Sequence, residues 1–332
     1  VQLRAFAHHP DYLGDLAGAS THGRVLECLP FDGRALGSDL SLVRPPIPEF
    51  TVLGGMMVDR TDIGHLLAAH RSRASFAHAA RLLLRHAADR LRHPRLGRGT
   101  RLVMGNALVG RLLLSLRRRG VPIVTEATAV RLLEEGGAVT GVEIERHGTR
   151  RRIGARAGVV LAGGGFNDHA QWRSRLIPAE VRHSPRAMCA PATLLTQVLA
   201  LGGQFGGPSG SAADAAGASA AFWAPVSTRL RADGSRAVFP HFVFDRAKPG
   251  TVVVNARGRR FVDESSSYHL FGERMLRPDA GGARPDAVAW LVADRRAVER
   301  YGLGLVRPGG RGLARFVRDG YLVKEPTLAA LA

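Results

Sequence analysis

Cysteine is nearly absent. Cys28 and Cys189 are the only two in 332 residues, so no disulfide framework is encoded and a reducing, cytoplasmic setting is expected. Lysine is equally scarce, with only Lys248 and Lys324. The net charge of +19, from 47 basic and 28 acidic residues, is therefore almost entirely arginine. Such a charge suits a polyanion, but no zinc-ligand spacing or base-stacking aromatic motif accompanies it, and no nucleic-acid partner is expected. No apolar run reaches the roughly 18 residues of a membrane span, and Val1 to His9 lack the charged-then-apolar layout of a signal peptide. G-x-G-x-x-G does not occur, so the βαβ unit that seats a dinucleotide pyrophosphate on a helix N-terminus is not encoded. Walker, G-x-S-x-G and HExxH patterns are missing as well, which disfavours nucleotide hydrolysis, serine hydrolysis and zinc proteolysis.

At this length, and with 45% hydrophobic residues, the chain exceeds one typical core, and two domains or parts of two are expected. The Gly/Ala/Ser/Asp stretch from Ser209 to Ala221 marks the boundary, giving 1–222 and 223–332. Gly23–Gly37 reads as a short strand and a glycine-punctuated turn. Asp62–His93 carries apolar residues at helical spacing and predicts one long helix or two. Residues 60–119 hold 14 arginines against Asp62 and Asp89. Solvated helix faces are the simplest account of them, and a basic amphipathic helix also suits peripheral contact with an anionic membrane. Five histidines fall there, His65, His70, His78, His86 and His93. None makes an i, i+4 metal pair, so they are read as surface residues and no metal site is expected.

Gly105–Leu116 predicts an amphipathic helix, Val121–Thr125 a strand, and Val130–Ile144 two antiparallel strands around a Glu134–Gly137 turn. Val159–Ala162 is a continuous apolar run ending in Gly163–Gly165, the pattern of a buried parallel strand. Thr193–Gly203 predicts a helix closed by Gly202–Gly203. Val252–Met275, VVVNARGRRFVDESSSYHLFGERM, predicts a hairpin turning at Asn255–Gly258, then a serine-capped helix with Tyr268 at its entry. Ala287–Ala293 predicts a strand leading to Asp294.

The segments GNALVGRLL, VRLLEEGGAVTGVEI, VVLAGGGF and VNARGRRFVDE, in that order and spacing, resemble the flavoproteins that include succinate dehydrogenase and fumarate reductase. RAFAHHPDY with GRVLECLPFD, and DESSSYHLFGERM, resemble the 3-ketosteroid Δ1-dehydrogenase branch. The resemblance spans nearly the whole chain. It implies an α/β fold with an α+β cap: part of a glutathione-reductase-like FAD-binding domain without its GxGxxG unit, joined to part of a smaller catalytic domain. It also implies FAD as cofactor, a steroid-like substrate and a fragment lacking both ends of the family's chain. Four residues after Glu264 the fumarate reductases carry an arginine, and the ketosteroid branch carries a tyrosine. The resemblance therefore makes Tyr268 the base that takes a C2 proton while a C1 hydride goes to the flavin. Tyr12 becomes the hydroxyl that steadies its anion, and Val130, Gly163 and Gly164 line the adenine side of FAD. A free phenol ionises near pH 10, so a base of this kind needs a neighbour that favours the anion. The chain departs from the family before the Gly202 helix, where Ala192, Thr193, Leu194 and Leu195 replace a Thr-Gly-Asp-Gly-like signature.

Overall fold

In a computed structural model the chain is described at residues 1–6, 9–11, 14, 16–46, 48–164, 169–183, 193–203, 224–277 and 288–331. It mixes helices with small antiparallel sheets, and its contacts divide it into two compact units, Val1–Ile123 and Val124–Ala332.

In the first unit β1 (Leu3–Ala5) pairs with β2 (Leu26–Cys28), and β3 (Phe31–Asp32) leads into a 3₁₀ segment, Gly33–Leu42, that kinks at Gly37. A small hairpin, β4 (Thr51–Val52) and β5 (Met56–Met57), precedes the predicted helical stretch. That stretch is two helices, α1 (Arg60–Ala68) and α2 (Arg73–Arg92). Asp59 and Asp62 form a reciprocal capping box at the start of α1, and Ser72 caps α2 through the Ser75 N–H. β6 (Arg101–Leu102) returns to pair with β3, and α3 (Met104–Arg118) follows as the Gly105–Leu116 pattern predicts. The core gathers Phe31, Leu36, Leu40, Val43, Met57, Leu102, Val103 and Ala107. α3 lies close on it because Gly110 has no side chain: a Cβ there would stand 2.9 Å from the Phe31 ring.

The basic stretch is less solvent-facing than its composition suggests. Arg98 is 3% exposed and donates to the main-chain carbonyls of Leu40, Val43 and Arg44, closing the end of the 3₁₀ segment. Arg101 bridges Asp59 and Asp62, and His78 also meets Asp62. His86, read from the sequence as a surface residue, is buried with Nε2 3.1 Å from the Leu53 carbonyl oxygen, while His65 stacks on His78.

The second unit opens on a meander of β7 (Ala127–Glu135), β8 (Ala138–Arg146) and β9 (Thr149–Gly154), one strand longer than expected. Val121–Thr125, expected as a strand, has no regular structure. Neither has Val159–Ala162, where Val160 is 90% exposed: among the described residues no strand pairs with this run. α4 (Ala170–Leu176) and α5 (Thr193–Ala200) follow, and α5 closes on Gly202 with the Gly203 N–H on the Val198 carbonyl, as predicted. The boundary near Phe222 lies outside the described residues. Beyond it come a hairpin of β10 (Val226–Leu230) and β11 (Arg236–Pro240), a one-turn helix α6 (Val243–Arg246), β12 (Thr251–Val254), α7 (Tyr268–Leu276), β13 (Trp290–Ala293) and α8 (Arg295–Tyr301). The turn at Asn255–Gly258 forms, with Gly258 at φ 68° and the Asn255 carboxamide accepting from the N–H groups of Arg257 and Arg259. Its second arm is a single bridge, Val254 to Arg260; the full-length partner of β12 is β13.

Candidate functional site

The segment after the hairpin turn is held from inside by two buried charges. Glu264, 6% exposed, accepts from the Val253 N–H at 2.9 Å and pairs with Arg260 at 2.6 Å. Burial works to raise its pKa, but the Arg260 and Val253 hydrogen bonds outweigh it and keep the carboxyl below the usual range. Arg246, at the end of α6, is 1% exposed. It donates to the carbonyls of His241 at 3.1 Å, Glu264 at 2.8 Å and Ser266 at 2.9 Å. Ser267 then caps α7 through the Leu270 N–H, and Tyr268 is the first residue of that helix. Tyr268 is half-buried, with its ring edge-on to Phe242 at 6.2 Å and its face under the Arg246 guanidinium at 5.7 Å. The same guanidinium lies 4.3 Å from the Phe271 ring, and Phe271 belongs to a small core with Val253 and Val262. The phenol thus stands on a fixed frame, as the serine-capped pattern predicts. Tyr12, its expected partner, lies outside the described residues. Three positions earlier in the sequence, His9 is buried, its Nδ1 2.7 Å from the Pro10 carbonyl oxygen.

Val130 lies at a bulge of β7, where Ala129 faces Ile144 and Arg131 faces Glu143, leaving Val130 without a partner residue on β8. On this outer edge the Val130 carbonyl accepts from Gln197 Nε2 at 3.0 Å, and the Leu132 N–H donates to Gln197 Oε1 at 2.8 Å. A groove of about 450 Å³ runs beside it, lined by Arg131, Glu143, Arg150 and Leu201 among others. The edge therefore binds a group that offers one donor beside one acceptor. The amino-pyrimidine edge of adenine offers the same pair, so the strand fits the group the resemblance assigns to it. Gly163 and Gly164 are exposed, and Gly164 has φ 95°, a conformation open to glycine at little cost.

Two arrangements escaped the sequence. One is Arg246, a single arginine in FDRAKPG with no periodic signal. The other is a hydrogen-bonded chain: Tyr321 OH to Ser227 Oγ at 2.7 Å, Ser227 Oγ to His241 Nε2 at 2.8 Å, and His241 Nδ1 to Asp245. Backbone N–H groups of Leu305 and Gly304 donate to its two ends, Tyr321 and Asp245. With the imidazole proton assigned to Nδ1, every donor points the same way. Gly304 admits the phenol, since a Cβ there would stand 2.5 Å from the Tyr321 oxygen. Burial pushes the Tyr321 pKa up, against the opposing hydrogen bond shared with Ser227. These residues are up to 94 positions apart in the sequence, and no local pattern links them.

A family model described as FAD binding domain matches residues 20–319, and the chain belongs to that family. It is 33% identical to 4-oxocyclohex-2-ene-1-carboxylate 5-dehydrogenase of Sinomonas cyclohexanicum, over 97% of this chain and 53% of that protein. It is 28% identical to 3-oxosteroid 1-dehydrogenase of Mycolicibacterium smegmatis, over 98% and 55%. It superposes on the crystal structure of 3-ketosteroid Δ1-dehydrogenase from Sterolibacterium denitrificans in complex with 1,4-androstadiene-3,17-dione, with a TM-score of 0.74 at 26% identity. That match covers 97% of this chain and 55% of the other. The chain thus spans about half the length of the relatives it matches.

Proposed function

We propose that the chain forms part of an FAD-dependent dehydrogenase that introduces a double bond beside a ring ketone, with a 3-ketosteroid dehydrogenated across C1–C2. The observation that carries this reading is Tyr268, fixed as the first residue of a capped helix on a buried frame, in a chain similar over 97% of its length to a steroid dehydrogenase. On this reading the Tyr268 phenolate takes the C2 proton, and Tyr12 donates a hydrogen bond that favours the anion. FAD, when bound, supplies the hydride acceptor. Val130 in the bulged edge, with Gly163 and Gly164, would hold the adenine side. There the adenine would have to replace the Gln197 carboxamide, which this edge binds in the structure. The FAD-binding part is assigned to 1–222 and the catalytic part to 223–332. For contact with an anionic membrane, the residues available are the exposed Phe76, Leu84 and Leu91 among the arginines of α2.

The 33% identity to an oxocyclohexene-carboxylate dehydrogenase favours a second reading, in which the ketone is a small carboxylated ring. Both readings share the proton abstraction and differ in the substrate. The test is to load the purified chain with FAD, desalt it, record the flavin bands and add each ketone anaerobically. Bleaching by the steroid supports the first reading, and bleaching by the oxocyclohexene carboxylate alone supports the second. If flavin is retained and neither ketone bleaches it, the dehydrogenase reading fails for this chain. If no flavin is retained, this chain does not hold FAD by itself, and the reading fails for the chain alone.

A further inference from the structure

We propose that Arg246 is the positioning residue for Tyr268, fixing the turn that carries the phenol and holding a buried positive charge against the phenol ring so that the phenolate is favoured. The proposal rests on the reading of Tyr268 as a base and adds a source for its anion's stability within this chain.

Three observations converge on it. The guanidinium is 1% exposed, so water screens its charge far less than that of a surface arginine. Among the described residues its hydrogen bonds reach the main-chain carbonyls of residues 241, 264 and 266, which fixes its plane and the turn before α7 together. It faces the Tyr268 ring at 5.7 Å, and the negative charge of a phenolate is delocalised into that ring. The cation therefore gains more from the ionised ring than from the neutral one.

The other charges near this turn do not supply the same effect. Glu264 is bound to Arg260 and to the Val253 N–H. Asp263 accepts from the N–H and hydroxyl of Ser265, and Asp245 holds His241. Three carboxylates thus cluster around the segment and oppose a further anion. Arg260 is committed to Glu264 at the surface, its side chain 59% exposed. Among the described residues, Arg246 is the buried cation seen over the Tyr268 ring. A role in packing alone would need the carbonyl bonds but would leave the ionisation of Tyr268 unchanged.

The test reads that ionisation directly, without flavin or substrate. The near-ultraviolet phenolate absorbance of the chain is titrated with pH, and the same titration of Tyr268→Phe is subtracted to leave Tyr268. The expected midpoint lies below the value of about 10 for a free phenol. Arg246→Met should raise it by about one to two pH units, the scale of a unit charge at this distance in a partly screened site, and Arg246→Lys should restore at least half of the shift. A wild-type midpoint at or above 10 overturns the proposal even if Arg246→Met fails to fold. An unchanged midpoint in a folded Arg246→Met overturns it as well, leaving only a structural clamp. A lowered midpoint in a chain that reduces no flavin with either ketone would sink the dehydrogenase reading and leave the role of Arg246 standing.

Discussion

Glu264 shows how one side chain can set the acid behaviour of a site. Its pKa is lower in the folded chain than in the unfolded one, so its contribution to stability is fully present above the ordinary value of about 4.3. That contribution is lost as the pH falls through the folded value. Glu264→Gln should flatten this acid limb, and Glu264→Ala should cost about 2–3 kcal/mol at neutral pH by leaving the Val253 N–H buried without its acceptor. Urea titrations of both variants between pH 3 and 7 check this, and equal acid limbs would exclude Glu264 as their source. Tyr321 works at the opposite end of the scale. Its folded pKa is raised, so its stability is complete below about 10 and is lost as the pH rises from there through the folded value. Tyr321→Phe should remove that alkaline limb and cost about 1–2 kcal/mol through the lost bond to Ser227, read as a lower urea midpoint.

Buried arginines repeat one device at the level of elements. Arg98 closes the end of the 3₁₀ segment through three carbonyls, as Arg246 closes the turn before α7. Burial lowers the pKa of Arg98, although a guanidinium stays charged throughout the working range. Arg98→Met should destabilise the first unit by about 2–4 kcal/mol, because three carbonyls lose their donors at once, and thermal unfolding would show it. An unchanged melting temperature would mean that the carbonyls find other donors. Local elements were largely readable. The helices α3, α5 and α7, the meander and the Asn255–Gly258 turn follow from periodicity, serine caps and glycines whose effects act within a few residues. The ties between elements were not, since the carbonyls that Arg98 and Arg246 reach carry no side-chain signature. The burial of His86 escaped for the same reason: its Nε2 meets a main-chain oxygen 33 residues away.

For the whole molecule, the run Val159–Ala162 was misread in an instructive way. Its composition is that of an inner strand, yet Val160 is 90% exposed, because a parallel strand forms only where neighbours pair with it and none of the described strands does. An exposed apolar run with free backbone groups is a template for self-association. Val160→Asp should therefore lower the apparent mass of the chain in concentration-dependent light scattering, and an unchanged mass would show that this run takes no part in association. The residues that frame Tyr268 lie within about 25 positions of it, and Tyr12 lies outside the described residues.

The frame around Tyr268 also bears on how such a site can diverge. Glu264 and Arg246 grip the turn through the Val253 N–H and the carbonyls of residues 264 and 266, bonds that do not depend on which side chain follows. Ser266 enters them only through its backbone. Position 266 can therefore drift in its side chain while the carbonyl that Arg246 holds, and with it the start of α7, keeps its place, so local sequence change and local backbone geometry are uncoupled there.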